Sequence, residues 1–156
     1  MGARYLVSAC LAGEKCRYDG SSCAHQRVVE LVLRGEAIPF CPEVAGGLGI
    51  PRERCEICLS ADLLIRSDLL IRVITQSGRD VTYHFLKGAE ETLRRVHDNK
   101  IECAIMKSLS PSCGFGRIYD GSFSGRLVNG KGVAAALLYA HGVKILSEKE
   151  ADVLPL

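Results

Sequence analysis

Short apolar segments alternate with segments of helical pattern along this chain, and that alternation most restricts its fold. The predicted strands are residues 4–9, 37–40, 70–75, 101–106 and 143–146, and the predicted helices are residues 24–34, a long segment between Asp80 and Asn99, and residues 131–141. Strands that alternate with helices usually lie parallel in one sheet. We therefore predict a single α/β domain over residues 1–156, with a mostly parallel sheet flanked by helices in a Rossmann-like three-layer arrangement.

The longest predicted helix has the clearest periodicity. The residues expected on its buried face are Phe85, Leu86, Ala89, Leu93 and Val96. Asp80 or Thr82 is expected to cap its start, and Ser21 or Ser22 is expected to cap the first helix. Gly35 is suited to the position just past the end of the first helix.

Composition restricts the class of protein. Of the 156 residues, 47% are hydrophobic, which is enough for one compact core, and the net charge is only +2. That near balance of acid and base gives no electrostatic reason to expect nucleic acid as a partner. No apolar run is long enough to span a membrane, and the N-terminus has no signal-peptide pattern. We expect a cytoplasmic protein, and composition does not predict its oligomeric state.

The eight cysteines are the unusual part of the composition. A chain of this length and apolar content does not need disulfides to hold its fold, so the thiols are expected to be metal ligands, nucleophiles or small buried side chains. Cys10, Cys41 and Cys113 each follow the end of a predicted strand. In a parallel sheet those loops meet at the carboxyl edge, where α/β proteins place their sites. Cys103 lies inside a predicted strand and is expected in the core, whereas Cys23 lies near a helix start.

The loop that carries Cys113 has a composition suited to a binding site. Residues 107–116 follow the strand 101–106 and read Lys-Ser-Leu-Ser-Pro-Ser-Cys-Gly-Phe-Gly. Pro111 has no amide hydrogen, and Gly114 and Gly116 permit backbone angles that other residues avoid. Such a loop can hold a thiol and backbone N–H groups towards a ligand.

Three convergent thiolates favour a soft metal centre. Zinc with three protein ligands keeps a position open for water or substrate. Iron–sulfur clusters are also held by cysteine thiolates, and a cubane with three cysteines leaves one iron free. The chemistry of the residues leaves both centres open.

A Cys-x-x-Cys pair, Cys55 and Cys58, stands apart from these three cysteines. No second pair completes a zinc ribbon, and the flanking residues do not predict the strand and helix that surround a redox motif. We therefore keep this pair outside the predicted site.

Downstream, a five-residue repeat at 62–66 and 68–72 is too short for a repeat protein and is expected to lead into the strand 70–75.

Several motifs taken together resemble one known family. The blocks are Val-Ser-Ala-Cys-Leu from Val7, Lys-Cys-Arg-Tyr-Asp-Gly from Lys15, Cys-Pro-Glu-Val-Ala-Gly-Gly from Cys41, Gly-Arg-Asp-Val-Thr from Gly78, Ser-Pro-Ser-Cys-Gly from Ser110, and Ile-Tyr-Asp-Gly-Ser-Phe-Ser-Gly from Ile118. In order and content they look like the thiouracil desulfidase family, formerly a domain of unknown function. The resemblance extends from residue 7 to about residue 147.

The resemblance implies a cofactor, its ligands and a reaction. The cofactor would be a [4Fe–4S] cluster bound by Cys10, Cys41 and Cys113, with the fourth iron open to the sulfur of a thiolated base or nucleoside. The reaction would convert 2-thiouracil to uracil and sulfide without net electron transfer. Cys16 belongs to a matched block, so it could replace one of these ligands or lie beside them.

Glu43 and Ser110 are the predicted catalytic residues. Glu43 lies two residues after Cys41 and is the candidate general base or acid for attack by water. Ser110 is the candidate hydroxyl that positions water or substrate, with competitors at Ser8, Ser108 and Ser112. The alternatives to an enzyme are a non-catalytic metal or iron–sulfur module, a partner that passes sulfur within a larger pathway, and a thiol redox protein that uses Cys55 and Cys58.

Overall fold

The computed structural model describes residues 2–58 and 71–154. Its strands are β1 (Tyr5–Ser8), β2 (Ala37–Phe40), β3 (Cys55–Cys58), β4 (Arg72–Thr75), β5 (Cys103–Met106), β6 (Phe115–Tyr119), β7 (Leu127–Lys131) and β8 (Lys144–Ser147). Its helices are α1 (Gln26–Leu33), α2 (Pro42–Ala45), α3 (Thr82–Asp98), α4 (Val133–Ala140) and α5 (Glu148–Ala151), with a 3₁₀ turn at Ala9–Ala12. The repeat predicted at 62–66 and 68–72 falls almost entirely outside the described residues. Within them, no helix combines the length and the apolar character needed to cross a membrane.

Four strands form a parallel sheet in the order β2-β1-β5-β8. Tyr5 of β1 is in register with Ala37 of β2 on one side and with Cys103 of β5 on the other. The chain therefore passes from β1 to β2 in one direction and later returns to the opposite side of β1. In α/β sheets this reversal opens a crevice at the carboxyl ends of the two strands involved, here β1 and β5. The predicted α/β fold with a mostly parallel sheet is confirmed.

Apolar side chains alternate between the two faces of this sheet because successive side chains of a strand point in opposite directions. Leu6, Ala104 and Met106 pack in a cluster with α3 and α4, whereas Val7 and Ile105 pack in a second cluster with α1. A fully buried side chain of this kind stabilises the fold by about 1.5–3 kcal/mol. The two apolar faces produce the predicted three layers, helix, sheet and helix.

The helix predicted from periodicity has the expected buried face, with one exception. Phe85, Ala89 and Val96 are buried, but Leu86 is 47% exposed and contributes little to the core. The residue at the cap of α3 is Val81, not the predicted Asp80 or Thr82, but Asp80 just before it accepts a hydrogen bond from the Thr82 amide at 2.9 Å. That contact satisfies one of the free N–H groups at the helix start.

The prediction that Ser21 or Ser22 caps the first helix is wrong. The residue before α1 is His25, and no side chain caps the helix by a hydrogen bond. The Ser21 hydroxyl is hydrogen-bonded to the Asp19 carboxylate at 2.5 Å instead. Gly35 does have a positive φ of 73° just past the helix, as its position predicts.

Two antiparallel strand pairs accompany the main sheet. Strand β3 pairs with β4, and β6 pairs with β7 in a hairpin whose turn is the Gly- and Ser-rich segment after Tyr119. The hairpin was not predicted, because the alternation in residues 115–131 is weak and most of those side chains are exposed. Cys103, predicted in the core, lies on β5, where it is partly buried and packs against the edge of the core cluster that contains Val7 and Ile105.

Helices α2 and α3 approach one another backbone to backbone. A Cβ atom added to Gly88 would lie 2.0 Å from the Pro42 carbonyl oxygen, and one added to Gly46 would lie 1.9 Å from the His84 carbonyl oxygen. Only hydrogen at both positions permits this contact. Since α2 directly follows Cys41, the contact determines where the carboxyl end of β2 lies relative to the rest of the molecule.

Candidate iron–sulfur site

A cavity of about 380 Å³ opens at the carboxyl edge of the parallel sheet. Its wall includes the segments that follow β1, β2 and β5, and these carry Cys10, Cys41 and Cys113. Cys16 lines the same cavity. The three loops that the sequence predicted to converge are therefore neighbours in the fold.

Cys10 is held by the 3₁₀ turn that follows β1. It is 9% exposed, and its carbonyl accepts hydrogen bonds from the amides of Gly13 and Cys23. Gly13 ends the turn with a φ of 97°, in the left-handed region that favours glycine. The chain therefore reverses directly after the thiol, which leaves Cys10 at the cavity wall.

Cys41 is the residue before the short helix α2, where the sequence predicted a loop. Pro42 is the first residue of that helix, a position where its missing amide hydrogen costs nothing. The Cys41 sulfur lies 3.9 Å from the Cys16 carbonyl oxygen. This contact brings the second matched cysteine block against the third.

Cys113 is fixed by hydrogen bonds within its own loop. The Ser110 hydroxyl oxygen accepts hydrogen bonds from the amides of Ser112 at 3.1 Å and Cys113 at 3.0 Å. A Cβ atom on Gly132 would lie only 2.5 Å from the Ser112 carbonyl carbon, so the start of α4 presses closely on this loop. The thiol is 4% exposed and lies 3.6 Å from the Ser112 hydroxyl oxygen.

Glu43 stands between a cation and a hydroxyl. Its Oε1 atom accepts a hydrogen bond from Arg52 Nε at 3.1 Å, and its Oε2 atom accepts one from Ser112 Oγ at 2.8 Å. The side chains of Glu43 and Arg52 are 14% and 8% exposed, so this is a largely buried ion pair. The carboxylate therefore connects the loop after β2 to the loop after β5.

The hydroxyl groups of Ser110 and Ser112 form a directed chain to Glu43. Ser112 has one hydroxyl hydrogen, and it is donated to the carboxylate, which only accepts. The 3.0 Å contact between the two hydroxyl oxygens must then use the hydrogen of Ser110. Ser110 thus donates to Ser112, and Ser112 donates to Glu43.

Arg52 is the main site residue that the sequence did not single out. Its Nη2 atom donates to the Cys16 carbonyl at 2.8 Å, and its Nη1 atom donates to the Gly49 carbonyl at 3.1 Å. One guanidinium thus joins the loop after β1, the segment after α2 and the Glu43 carboxylate, which suits its fork of five donors. No spacing in the sequence connects residues 16, 43 and 52, so only the fold reveals this role.

A second ion pair supports the far side of the cavity. Glu148 accepts hydrogen bonds from Lys107 Nζ at 3.2 Å and from the Ser108 amide at 2.9 Å. Burial alone would raise the pKa of Glu148, but the hydrogen bonds from Ser108 and the charge of Lys107 outweigh it and lower that pKa. The Lys107 amide in turn donates to the Ser8 hydroxyl at 2.9 Å.

The prediction that Cys55 stays away from the site is wrong, because it lines the cavity. Cys55 and Cys58 are the first and last residues of β3, and side chains three apart in a strand point to opposite faces. Their Cα atoms are about 10 Å apart at the usual rise of a strand, which is too far for a disulfide. This geometry removes the thiol redox alternative for the pair.

Three thiols of the cavity are poor anions without a metal. The pKa of Cys16 is raised to about 11, chiefly by its hydrogen bond with Cys10, and that of Cys41 is raised by its hydrogen bond with Cys16 and by burial. Complete burial raises the pKa of Cys113 to about 12. A metal that binds such thiols must displace their protons, and its positive charge then stabilises the thiolates.

The donor set fits an iron–sulfur cluster. Within residues 2–58 and 71–154, no three His, Cys, Asp or Glu side chains are spaced to hold a single metal ion. The thiols of Cys10, Cys16, Cys41 and Cys113 are instead distributed around the wall of the cavity. Iron–sulfur clusters take thiolate ligands of this kind.

The fold and the cavity define an α/β protein with a thiol-lined site at the switch point of its sheet. Its sequence matches the model of a family described as 2-thiouracil desulfurase over residues 5–150. It is 42% identical over 149 residues to the uncharacterized protein YbbK of Bacillus subtilis (strain 168), covering 94% of this chain and 97% of that protein. It also resembles a solved structure described as the [4Fe–4S]-dependent thiouracil desulfidase TudS (DUF523), with a TM-score of 0.82 and 41% identity over 95% of this chain and 92% of the other.

The chain belongs to the 2-thiouracil desulfurase family. The family predicted from the six motif blocks is confirmed. The description of the solved relative agrees with the predicted [4Fe–4S] cofactor and not with zinc. Together they support the predicted desulfidase rather than a non-catalytic metal module or a thiol redox protein.

Proposed function

We propose that this protein removes sulfur from a thiolated pyrimidine, with 2-thiouracil as the test substrate, and releases uracil and sulfide. The observation that carries the proposal is the convergence of Cys10, Cys41 and Cys113 on one cavity beside the largely buried carboxylate of Glu43. Family membership and the description of the solved relative support the same reaction. One water molecule is consumed and one hydrogen sulfide is released, so no electron donor is needed.

Cys10, Cys41 and Cys113 would hold a [4Fe–4S] cluster, and Cys16 would lie beside the ligands. When bound, such a cluster supplies a Lewis-acidic iron that polarises the thiocarbonyl and accepts its sulfur. Cys16 is assigned to this place because its carbonyl oxygen contacts the Cys41 sulfur, and because its thiol is hydrogen-bonded to the thiols of Cys10 and Cys41. Its hydrogen bonds would orient the sulfur atoms of its neighbours.

Glu43 would handle the proton of the attacking water. Its Oε2 atom is the acceptor at the end of the chain of hydroxyl groups, and its Oε1 atom is held by Arg52. A carboxylate held on both oxygens stays in one orientation, which is what a general base requires. A proton taken by Oε2 would face Ser112 Oγ if the Ser112 hydroxyl turned its own hydrogen from Glu43 towards Cys113 Sγ, 3.6 Å away.

Ser110 would act as a positioning hydroxyl. Its hydroxyl oxygen accepts hydrogen bonds from the amides of Ser112 and Cys113, and its hydroxyl hydrogen is donated to Ser112 Oγ. It therefore sets the direction of the Ser112 hydroxyl and the place of the Cys113 thiol.

The test is anaerobic reconstitution with iron and sulfide, followed by assays of iron content, visible absorption, and release of sulfide and uracil from 2-thiouracil. The Cys10→Ala, Cys41→Ala and Cys113→Ala variants should each lose the iron. Cys103→Ala is the matched control, because Cys103 lies on β5 outside the cavity and should retain iron and activity. Glu43→Gln should retain iron and lose turnover.

The same assays distinguish the possible failures. If the wild-type protein binds iron but releases no sulfide from 2-thiouracil, the proposed substrate is wrong, whereas the proposed cluster ligands are not contradicted. Loss of iron in Cys16→Ala with retention in Cys41→Ala would exchange those two residues in the ligand set. A protein that binds no iron at all would refute the cluster site.

A further inference from the structure

Strand β3 carries a buried carboxylate that the proposed reaction does not use. Glu56 is 2% exposed, although it lies only one residue after Cys55 at the cavity wall. Its Oε1 atom accepts hydrogen bonds from the amides of Gly121 at 3.0 Å and Phe123 at 3.1 Å. Glu56 therefore holds the turn of the β6–β7 hairpin against β3.

The turn itself is shaped for this close contact. Gly121 has a φ of 95°, and a Cβ atom there would lie 2.8 Å from the Ile57 carbonyl oxygen and 2.9 Å from the Cys58 Cα atom. Phe123 also has a positive φ of 57°. Both conformations are uncommon for side chains with a Cβ atom, so the turn is held in place by contacts rather than by its own preference.

The second oxygen of Glu56 faces an arginine of the cavity wall. Glu56 Oε2 accepts no hydrogen bond from the residues that the structure describes, and it lies 3.8 Å from Arg54 Nη2. The guanidinium of Arg54 lies over the Tyr119 ring, 5.7 Å from its centre. Arg54 and Tyr119 both line the cavity, and Tyr119 is the last residue of β6 before the anchored turn.

These contacts connect one buried charge to two residues of the site. The carboxylate attracts Arg54 through Oε2 and anchors the segment after Tyr119 through Oε1. A charged group in a place of low accessibility is costly unless it is compensated, and Arg54 supplies the compensating charge. Without the carboxylate, Arg54 would lose its opposite charge, and the segment after Tyr119 would lose its hydrogen-bond acceptor.

We propose that Glu56 is a positioning residue for substrate binding, which fixes the turn 120–125 on β3 and thereby sets Arg54 and Tyr119 at the cavity wall. The proposal rests on the proposed function, because it assigns substrate contact to the same cavity. Glu56 itself does not line the cavity, and its hydrogen bonds within the described residues come from the amides of the turn. Its loss should therefore weaken substrate binding and leave the chemical step nearly intact.

The first test compares Glu56→Gln with the wild-type protein, each loaded with its cluster. Glutamine keeps a carbonyl oxygen that can accept from Gly121 and Phe123, but it lacks the charge opposite Arg54. We expect KM for 2-thiouracil to rise about tenfold while kcat changes less than about twofold, which is the pattern of lost binding rather than lost chemistry. Glu53→Gln is the matched control, because the exposed Glu53 carboxylate also accepts a backbone amide, that of Ser77, and lines no part of the cavity.

The second test measures the turn directly. In Glu56→Ala, hydrogen exchange of the amides of Gly121 and Phe123 should be at least about tenfold faster than in the wild type, because their acceptor is gone. In Glu56→Gln, exchange should stay closer to the wild-type rate. Unchanged exchange in Glu56→Ala would overturn the anchoring role, and a variant too unstable to measure leaves Glu56→Gln as the deciding protein.

A double-mutant cycle tests whether Glu56 acts through Arg54. If it does, Arg54→Met combined with Glu56→Gln should raise KM no further than the larger of the two single effects. Additive effects on KM would overturn the proposal. If the wild type is active and KM is unchanged in Glu56→Gln, the positioning role alone is overturned. If the cluster-loaded wild type releases no sulfide, the proposed function is overturned, and the proposed substrate contact with it.

Discussion

Replacement of Gly88 by alanine should destabilise this protein, although the same change stabilises most helices. Gly88 is a buried residue inside α3, and alanine is favoured over glycine there by about 1 kcal/mol of helix propensity. The packing acts against that gain. The new Cβ atom would meet the Pro42 carbonyl oxygen at 2.0 Å, about 1.4 Å short of ordinary contact at 3.4 Å.

The clash cannot be relieved by a rotating side chain, because both groups belong to the backbone. Helix α2 would have to move away from α3, and overpacking of this kind costs about 1–3 kcal/mol and occasionally more. After the propensity gain of about 1 kcal/mol, we expect a net loss of up to about 2 kcal/mol in the free energy of unfolding. The movement would also shift Cys41 and lengthen the 2.8 Å bond between Glu43 and Ser112.

Urea unfolding of the cluster-free protein measures the first effect, and iron content after reconstitution measures the second. Lys87→Ala is the matched control, because Lys87 is exposed on the same helix and should change stability by less than about 0.5 kcal/mol. If Gly88→Ala were more stable than the wild type and bound iron normally, the close contact of α2 with α3 would not determine the position of Cys41.

Two further changes test the ion pairs around the cavity. Arg52→Met leaves the largely buried Glu43 carboxylate without its cation, so the free energy of unfolding in urea at pH 7 should fall by about 3 kcal/mol. A fall of less than about 0.5 kcal/mol would show that the pair is not buried in solution. Glu148→Gln should lower the free energy of unfolding at pH 7 by about 1.5–3 kcal/mol, because the glutamine NH2 group cannot accept a hydrogen bond and the negative charge opposite Lys107 is lost. The folded-state pKa of Glu148 lies below its ordinary value of 4.5, so its stabilisation is complete above that pH and is lost as the pH falls through the lower folded-state pKa. The difference between variant and wild type should therefore narrow below about pH 4.5, and a difference independent of pH would contradict the assignment.

The strands and their cysteines could be predicted because the signals are local. A strand such as β1 is recognisable from a short apolar run, and the place of Cys10, Cys41 and Cys113 directly after such runs follows from counting along the chain. The rule that parallel strands end at one edge then brought the three thiols together. The six matched blocks added the family, which neither composition nor periodicity could supply.

The contacts between distant segments were decided by the tertiary structure alone. Arg52 joins Glu43 to the Cys16 carbonyl, and Glu56 anchors a turn 65 residues further along the chain. No local sequence pattern predicts such partners. Whether a charge can be buried depends on the groups that surround it in the fold, and these come from distant parts of the chain. The same reason explains Cys55, whose place on the cavity wall depends on how β3 packs against the hairpin and the loops of the parallel sheet.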